Sequence, residues 1–583
     1  MRRTKIVCTI GPASSTIDLV KQLLMEGMDV ARLNFSHGDH ATHKQHLNTL
    51  KAAAEQLGRP LAIMLDTKGP EIRLGTFADG QVALEEGDIF TFTTYPITGD
   101  KTRVQVQYQQ LPQDVHCGQI ILLDDGTISM EILEVTDTEV RCQVLNAGIL
   151  RDRKKLNLPG CSLSLPALSD QDMADIAFGI KCGIDFIAAS YIRNADNILE
   201  IRKLLEQFNA DTPIIAKIES GEGIKNIDAI LKLADGVMVA RGDLGVEIPA
   251  EEVPLLQKMI IKKANRLGKP VITATQMLES MISSPQPTRA EASDVANAIL
   301  DGSDAVMLSA ETATGRYPLE AVSYMARIAK RTEMALLEGQ NHRSQPLNQG
   351  VSVTDAISYA TYTAARALEA AAILVSTSSG HTARMVAKNR PVAPIIAATS
   401  SEYVQRQLLL VWGVYPILIK ATANTDQMIE TVIQGALDHG YIQSGDLVII
   451  TAGVPAGVPG STNLIKIQTV GSIITRGTGL GNVGVAGSVS VLRDACDGET
   501  KFNRGDILVT HTTDKSMIPY MKQSAAIVTI EGGLTSHAAV VGLNLGIPVV
   551  LGVKDAFEVL QDGMIVTVDP VRGLIYRGRA QVK

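Results

Sequence analysis

Short apolar runs alternate with amphipathic stretches from the first residues of the chain, the pattern of repeated βα units. The runs predict strands at Lys5–Ile10, Val30–Asn34, Leu61–Leu65, Asp185–Tyr191, Pro213–Glu219, Gly236–Arg241, Pro270–Thr275 and Asp304–Leu308. A helical pattern follows each, for example Thr16–Glu26 after the first and Glu251–Leu267 after the sixth, except where the third runs into DTKGPEIRLG. Eight such units fit a closed α/β architecture, the (β/α)8 TIM barrel. Between about residues 69 and 166 the alternation shortens to every second residue, with turn signals, as in FADGQVALEEGDIFTFTT. That predicts a small all-β domain inserted into a barrel loop. An insertion on the C-terminal side of a strand sits over the barrel mouth, so a lid is the natural expectation and a passive ornament the alternative.

From about Val353 to Val470 a second series appears, with runs AAILVST, PIIAAT, VYPILIK and DLVIITAG separated by helical segments. This reads as a doubly wound α/β sheet. Its first strand runs into Ser376, Thr377, Ser378, Ser379, Gly380, His381 and Thr382, just before a helix. Hydroxyls and a glycine at a helix start form either an anion site or an ordinary N-cap. A Gly- and Val-rich tail follows, long enough for an extra small swivelling-type domain. His537, after Gly-Gly-Leu-Thr-Ser, is its conspicuous residue, a nucleophile or phosphate carrier on one reading and a structural histidine on the other. The organisation expected is a barrel from 1–68 and 167–345, an insert at 69–166, an α/β domain at 346–472 and a tail at 473–583.

Composition narrows the classes. With 45% hydrophobic and 20% charged residues and 49 glycines in 583 positions, the chain reads as a soluble α/β enzyme. A net charge of -8 and only 4% aromatics argue against a nucleic-acid surface, so no nucleic acid partner is expected. The six cysteines, Cys8, Cys117, Cys142, Cys161, Cys182 and Cys496, form no CxxC pair and are expected to be reduced packing residues of a cytoplasmic protein. MRRTKIVCTIGP lacks the apolar core of a signal peptide, and no stretch is long enough to span a membrane.

The chemistry concentrates between Ile214 and Gly245. Two apolar runs there end in charges, Lys217 and Glu219 in the first, Arg241 and Asp243 in the second. Alternation along a strand puts Lys217 and Glu219 on one face, and a strand-helix-strand unit brings both strand ends together. An ion clip joining two strands is the bland reading. Charges at the C-terminal ends of successive parallel strands are also where such sheets build active sites.

The stretches TKIVCTIGPAS, MDVARLNFSHG, LDTKGPEIRLG, LNLPG, IAKIESGEGI, VMVARGDLGVEIP, PVITATQMLESM, PTRAEASDVANAILDGSDAVMLSAETATGRYP and WGVYP, in this order from Thr4 to about Val470, resemble the pyruvate kinase family. The resemblance implies phosphoryl transfer from phosphoenolpyruvate to ADP, giving pyruvate and ATP. It also implies an inserted β lid, an effector-binding α/β domain and a homotetramer. By the same resemblance Glu219 and Asp243 are ligands of Mg2+ (or Mn2+), and Lys217 meets the transferring phosphoryl group. Arg32 and Arg73 look like phosphate clamps, and backbone N–H groups around Arg241, Gly242 and Asp243 would hold the substrate carboxylate. Asn34, Ser36, Asp66 and Thr67 match potassium-binding positions, and Glu71 matches the K+-dependent members. His37 and Lys154, with Asn34 and Arg73, resemble the nucleotide contacts. Thr275 and Ser309 match residues that order a proton relay, or else cap the following turns. The loop Thr377, Ser378, Ser379, Gly380 and Thr382 matches the place where members bind a phosphorylated sugar or nucleotide effector.

The tail stretch EGGLTSHAAVVGLNLGIPVV resembles the phosphohistidine domain of phosphoenolpyruvate-using dikinases. That pattern has an Ala-Arg pair where this chain has Gly542-Leu543, so a structural role for His537 is the expectation. Two other functions are weighed. Another Mg2+-dependent phosphoenolpyruvate or 2-oxoacid enzyme would not need the potassium-type ligands or the lid lysine. A non-catalytic effector-binding barrel should have lost Lys217, Glu219 or Asp243, and all are present.

Overall fold

The computed structural model describes residues 1–161, 163–338, 352–422, 424–454, 462–471, 473–493 and 502–580. The chain folds into two compact units, Met1–Pro346 with Ser401–Pro416, and Leu347–Ser400 with Ile417–Lys583.

The first unit is built on eight parallel strands: β1 (Lys5–Thr9), β2 (Val30–Asn34), β3 (Ala62–Asp66), β4 (Phe186–Ala189), β5 (Ile214–Ile218), β6 (Gly236–Ala240), β7 (Val271–Ala274) and β8 (Ala305–Leu308). They close into a barrel, β1 pairing with both β2 and β8. Alternation sorts each strand into two faces. Ala31 and Leu33, Ile63 and Leu65, Ile187 and Ala189, Ile214 and Ala216 pack outward in one core with the surrounding helices. Val30, Ala62, Met64, Phe186, Ala188 and Ile215 form a separate core inside the barrel. Continuing that inward parity by two residues reaches Arg32, Asp66, Ser190 and Lys217. The polar cluster at the mouth is therefore the upper layer of the barrel filling, fixed by register rather than by loop conformation.

The opposite end of the barrel is closed by Ser401–Pro416. Leu409 and Leu410 join the interior core. Residues at strand starts hold the same segment: Lys5 Nζ donates to the Val414 carbonyl at 2.6 Å, Arg406 meets Asp185 at 2.8 Å, and the Trp412 N–H donates to Asp304 at 3.2 Å.

The insert after β3 contains a six-stranded sheet, ordered Leu156–Asn157, Ile120–Leu123, Ile128–Val135, Glu139–Val144, Ile89–Thr93, Arg103–Gln105, and a two-stranded sheet of Gly148–Arg151 with Gln81–Leu84. Phe90 and Phe92 meet edge to face, their ring centroids 5.5 Å apart, in a core of its own. The chain enters past Gly69 and leaves through Lys155, and the two connections pair: Arg73 bridges Lys155, and the Leu156 N–H donates to the Ile72 carbonyl at 2.9 Å. Gly69 has φ +76, and a Cβ there would lie 2.8 Å from Ser190 and Tyr191. Only glycine fits that turn.

The second unit carries strands in the order Ile395–Thr399, Ala372–Ser376, Leu447–Gly453 and Thr462–Thr469, the first three parallel and the last antiparallel. Its tail forms an eight-stranded mixed sheet between Ile473 and Arg577. Among the described residues no helix is long and apolar enough to cross a membrane. Cys496 lies outside the described residues, and the five cysteines within them are free, Cys8 and Cys142 buried and Cys117 exposed.

Candidate functional site

Lys217 stands at the centre of the barrel mouth. Its ammonium donates to Ser190 Oγ at 2.7 Å and Asp66 Oδ1 at 3.0 Å, and lies 3.1 Å from Glu219 Oε1. Asp66 also accepts from Arg32 Nε at 2.6 Å, and Arg32 reaches on to Thr9 Oγ1 at 2.9 Å. Asp66 and Glu219 are each only 1% exposed. Burial opposes every one of these charges. At Lys217 the carboxylates of Asp66 and Glu219 outweigh it and hold the ammonium above the ordinary lysine range. At Asp66 the Arg32 and Lys217 charges outweigh it and hold the carboxyl below its usual range. The lysine is thus a fixed positive charge at neutral pH.

Beside it, the Tyr191 N–H donates to Glu219 Oε2 at 2.6 Å, and the Tyr191 hydroxyl donates to Asp243 Oδ1 at 3.3 Å. Burial raises Glu219 above the usual carboxylate range despite Lys217, and the charge of Asp243 adds to the rise. Two carboxylates that repel one another are a donor set that a divalent cation would satisfy, with positions left for substrate oxygens. Among the described residues no group of three or more His, Cys, Asp or Glu side chains could hold a metal.

Asp243 belongs to the short helix Arg241–Glu247, which begins directly after β6. The Arg241 side chain turns away from the mouth, pairing with Asp294 at 2.7 Å and donating to the Thr275 carbonyl at 2.7 Å. The Gly242 N–H donates to Thr275 Oγ1 at 2.8 Å. Thr275 and Gln276 have φ of +67 and +52, and Tyr191 has +54. Left-handed backbone at a β-branched residue is costly and concentrates at sites where the surroundings enforce it. Ser309 follows β8, its N–H donating to the buried Glu311 at 2.7 Å.

The other expected residues spread around this centre. Asn34 and Asp66 are register partners at the ends of β2 and β3. Asn34 Oδ1 accepts from the Ser36 N–H at 3.1 Å, and Thr67 Oγ1 accepts from the Ser190 N–H at 3.1 Å. Ser36 and His37 are exposed beside them. Arg73 pairs with Glu71 at 2.5 Å and donates to the Arg153 carbonyl at 3.0 Å. Lys154 stays within the insert, paired with Asp124 at 2.7 Å. Its neighbour Lys155 reaches the barrel instead, 2.6 Å from Asp243 Oδ1. Lys155 and Ser190 were missed in the sequence: a single hydroxyl at a strand end carries little signal, and two adjacent lysines do not say which one faces the mouth.

In the second unit, Gly380 (φ +75) caps the helix His381–Ala387. Thr377 and Thr382 are buried, Thr382 Oγ1 bonding to Thr462 Oγ1 at 2.7 Å, while Ser378 is exposed. In the tail, His537 begins the helix His537–Leu545, and its Nδ1 lies 2.9 Å from Thr513 Oγ1. A Cβ on Gly542 would fall 2.2 Å from Val549, so tight helix-to-sheet packing accounts for a glycine there.

Comparison with known proteins agrees with this geometry. Residues 1–322 match the family described as pyruvate kinase, barrel domain, residues 355–468 the pyruvate kinase alpha/beta domain, and residues 502–573 the mobile domain of PEP-utilising enzymes. Over 585 aligned residues, covering all of both chains, the sequence is 53% identical to a pyruvate kinase of Geobacillus stearothermophilus and 50% identical to one of Bacillus licheniformis. The crystal structure of a pyruvate kinase from Cryptosporidium parvum superposes with a TM-score of 0.76 at 41% identity, covering 80% of this chain and 96% of that one. The closed barrel, the family match over residues 1–322 and the full-length identity of 53% and 50% to two pyruvate kinases place the chain in the pyruvate kinase family.

Proposed function

We propose that the chain transfers the phosphoryl group of phosphoenolpyruvate to ADP, giving pyruvate and ATP, with Lys217 at the centre of the reaction. The observation that carries this reading is the Lys217 ammonium, held charged among Asp66, Ser190 and Glu219 at the barrel mouth. A fixed cation there offsets charge on the moving phosphoryl group and on the enolate left behind, the main demand of phosphoryl transfer. Arg32, braced by Asp66 and Thr9, adds a second donor fork. Arg73, Asn34, His37 and Lys154 are assigned to the nucleotide phosphates. Backbone N–H groups around Gly242 and Asp243 are assigned to the substrate carboxylate, and Thr275 and Ser309 to a water relay that protonates the enolate carbon.

The family generally uses Mg2+ and K+. Mg2+ held by Glu219 and Asp243 would neutralise phosphoryl oxygens, and K+ is assigned to Asn34, Ser36, Asp66 and Thr67. The loop Thr377–Thr382 is assigned to a phosphorylated sugar or nucleotide activator. A homotetramer in the cytoplasm completes the reading by family likeness. The test is a coupled assay for pyruvate with phosphoenolpyruvate, ADP and Mg2+. Lys217→Met should lose about a thousandfold or more in kcat, and an unchanged rate would remove Lys217 from its role. Replacing K+ by a tetraalkylammonium ion should collapse the rate. Thr377→Val with Thr382→Val should abolish activation while leaving the basal rate.

A further inference from the structure

The segment by which the insert returns to the barrel grips the helix that begins at Arg241. Lys155 Nζ lies 2.6 Å from Asp243 Oδ1, and Asn157 Nδ2 donates to Glu247 Oε1 at 3.1 Å. The spacing explains both contacts. Residues two apart in an extended chain share a face and lie roughly 6.6 Å apart. Asp243 and Glu247 sit one helical turn apart, about 6 Å along the axis. Two successive same-face side chains of the returning segment therefore meet two successive same-face carboxylates of the helix.

The two points differ in character. Asn157 also belongs to the six-stranded sheet of the insert, where it pairs with Leu122, so the second point ties that sheet directly to the barrel. At the first point three groups converge. The Lys155 ammonium lies 4.8 Å from the Tyr191 ring centroid, over the face that attracts a cation. The Tyr191 hydroxyl turns to the same Asp243 oxygen. Asp243 is the carboxylate assigned above to the divalent cation, so ammonium and metal ask for the same group.

We propose that Lys155 and Asn157 form a two-point latch between insert and barrel, and that a divalent cation binding at Asp243 releases its first point by displacing the Lys155 ammonium. This rests on the metal assignment made under the proposed function. Metal binding and the position of the insert are then linked: whatever holds Lys155 on Asp243 weakens the metal, and the metal frees the returning segment to move. Linkage is reciprocal, so both directions are measurable.

The experiment uses the full chain and Mn2+ alone, with free Mn2+ read by electron paramagnetic resonance. Lys155→Met should bind Mn2+ roughly fivefold more tightly, the size expected for losing a partly exposed competing pair. Lys155→Arg, which keeps the charge, should stay near wild type. Hydrogen exchange supplies the second reading. In the metal-free protein Lys155→Met and Asn157→Ala should both speed exchange in residues 72–74 and 155–158, and Mn2+ should do the same to wild type. Equal Mn2+ affinity in Lys155→Met and wild type, with Asp243→Asn much weakened, overturns the latch and leaves the metal site standing. Mn2+ binding untouched by Asp243→Asn overturns the metal assignment, and the latch with it.

Discussion

Ser190 holds Lys217 from the side: its hydroxyl accepts from the ammonium at 2.7 Å and donates to the Thr67 carbonyl at 2.6 Å. Removing it leaves the lysine with its carboxylates but no lateral guide. Ser190→Ala should therefore lower kcat about tenfold, the loss of one hydrogen bond to a charged group, while the unfolding free energy falls by about 1 kcal/mol. Steady-state kinetics alongside urea unfolding would separate the two effects, and unchanged kcat would count against an orienting role. At this scale the sequence was most legible where it broke its own rule. Lys217, Glu219, Arg241 and Asp243 stand out because charges interrupt apolar runs. Asp66 needed the family pattern to be noticed, and Tyr191 passed unnoticed, because its backbone N–H and hydroxyl both act through a conformation that residue type does not announce.

Elements were legible in kind and order, and the barrel strands differ from expectation by a residue or two at either end. The strands expected to reach Tyr191 and Thr275 stop at Ala189 and Ala274, because Tyr191 and Thr275 turn into the left-handed region and leave the ladder. Both residues border the proposed site, where Tyr191 bonds to Glu219 and Asp243 and Thr275 to the Gly242 N–H, so the local irregularity falls where the proposed chemistry does. Two predictions belong here. The helix Arg289–Leu300 begins with a reciprocal cap in which Thr288 accepts from the Glu291 N–H and Glu291 accepts from the Thr288 N–H. Thr288→Ala should cost about 1 kcal/mol in urea unfolding, with the fold retained. The helix His40–Leu57 carries His43, stacked on Phe35 at 3.9 Å and bonded through Nε2 to the His37 carbonyl at 2.8 Å. Burial there lowers its pKa below the ordinary histidine value, outweighing the carbonyl bond and Asp175, with His46 and His40 pushing the same way as burial. As pH falls below about 6.5 the unfolded chain takes up this proton before the folded one does. The His43 contribution to stability is therefore complete above that pH and declines below it. The urea midpoint should be lower at pH 5.5 than at pH 7.5, and His43→Gln should reduce the difference.

On the scale of the whole molecule, the repeated βα pattern announced the barrel, and the change of period announced the insert, because both are local regularities. The closure of the barrel base was not legible. Nothing local marks Leu409 and Leu410 as partners of Val7 and Val30, some 400 positions earlier, for the run LLLVW looks like any buried segment. Leu410 is fully buried in that interior core. Leu410→Ala should destabilise the first unit by about 2–5 kcal/mol through the cavity it leaves, read as a lower urea midpoint. An unaltered midpoint would mean that the base closes without it. The same arrangement sets an order of events during synthesis. The last piece of the first unit, Ser401–Pro416, is translated only after the 54 residues Leu347–Ser400 of the second. At ribosomal rates of 5–20 residues per second, the barrel waits roughly 4 to 14 s with its base open after residue 346 has been added. During that interval the apolar interior lacks the cover that Leu409 and Leu410 supply in the finished unit.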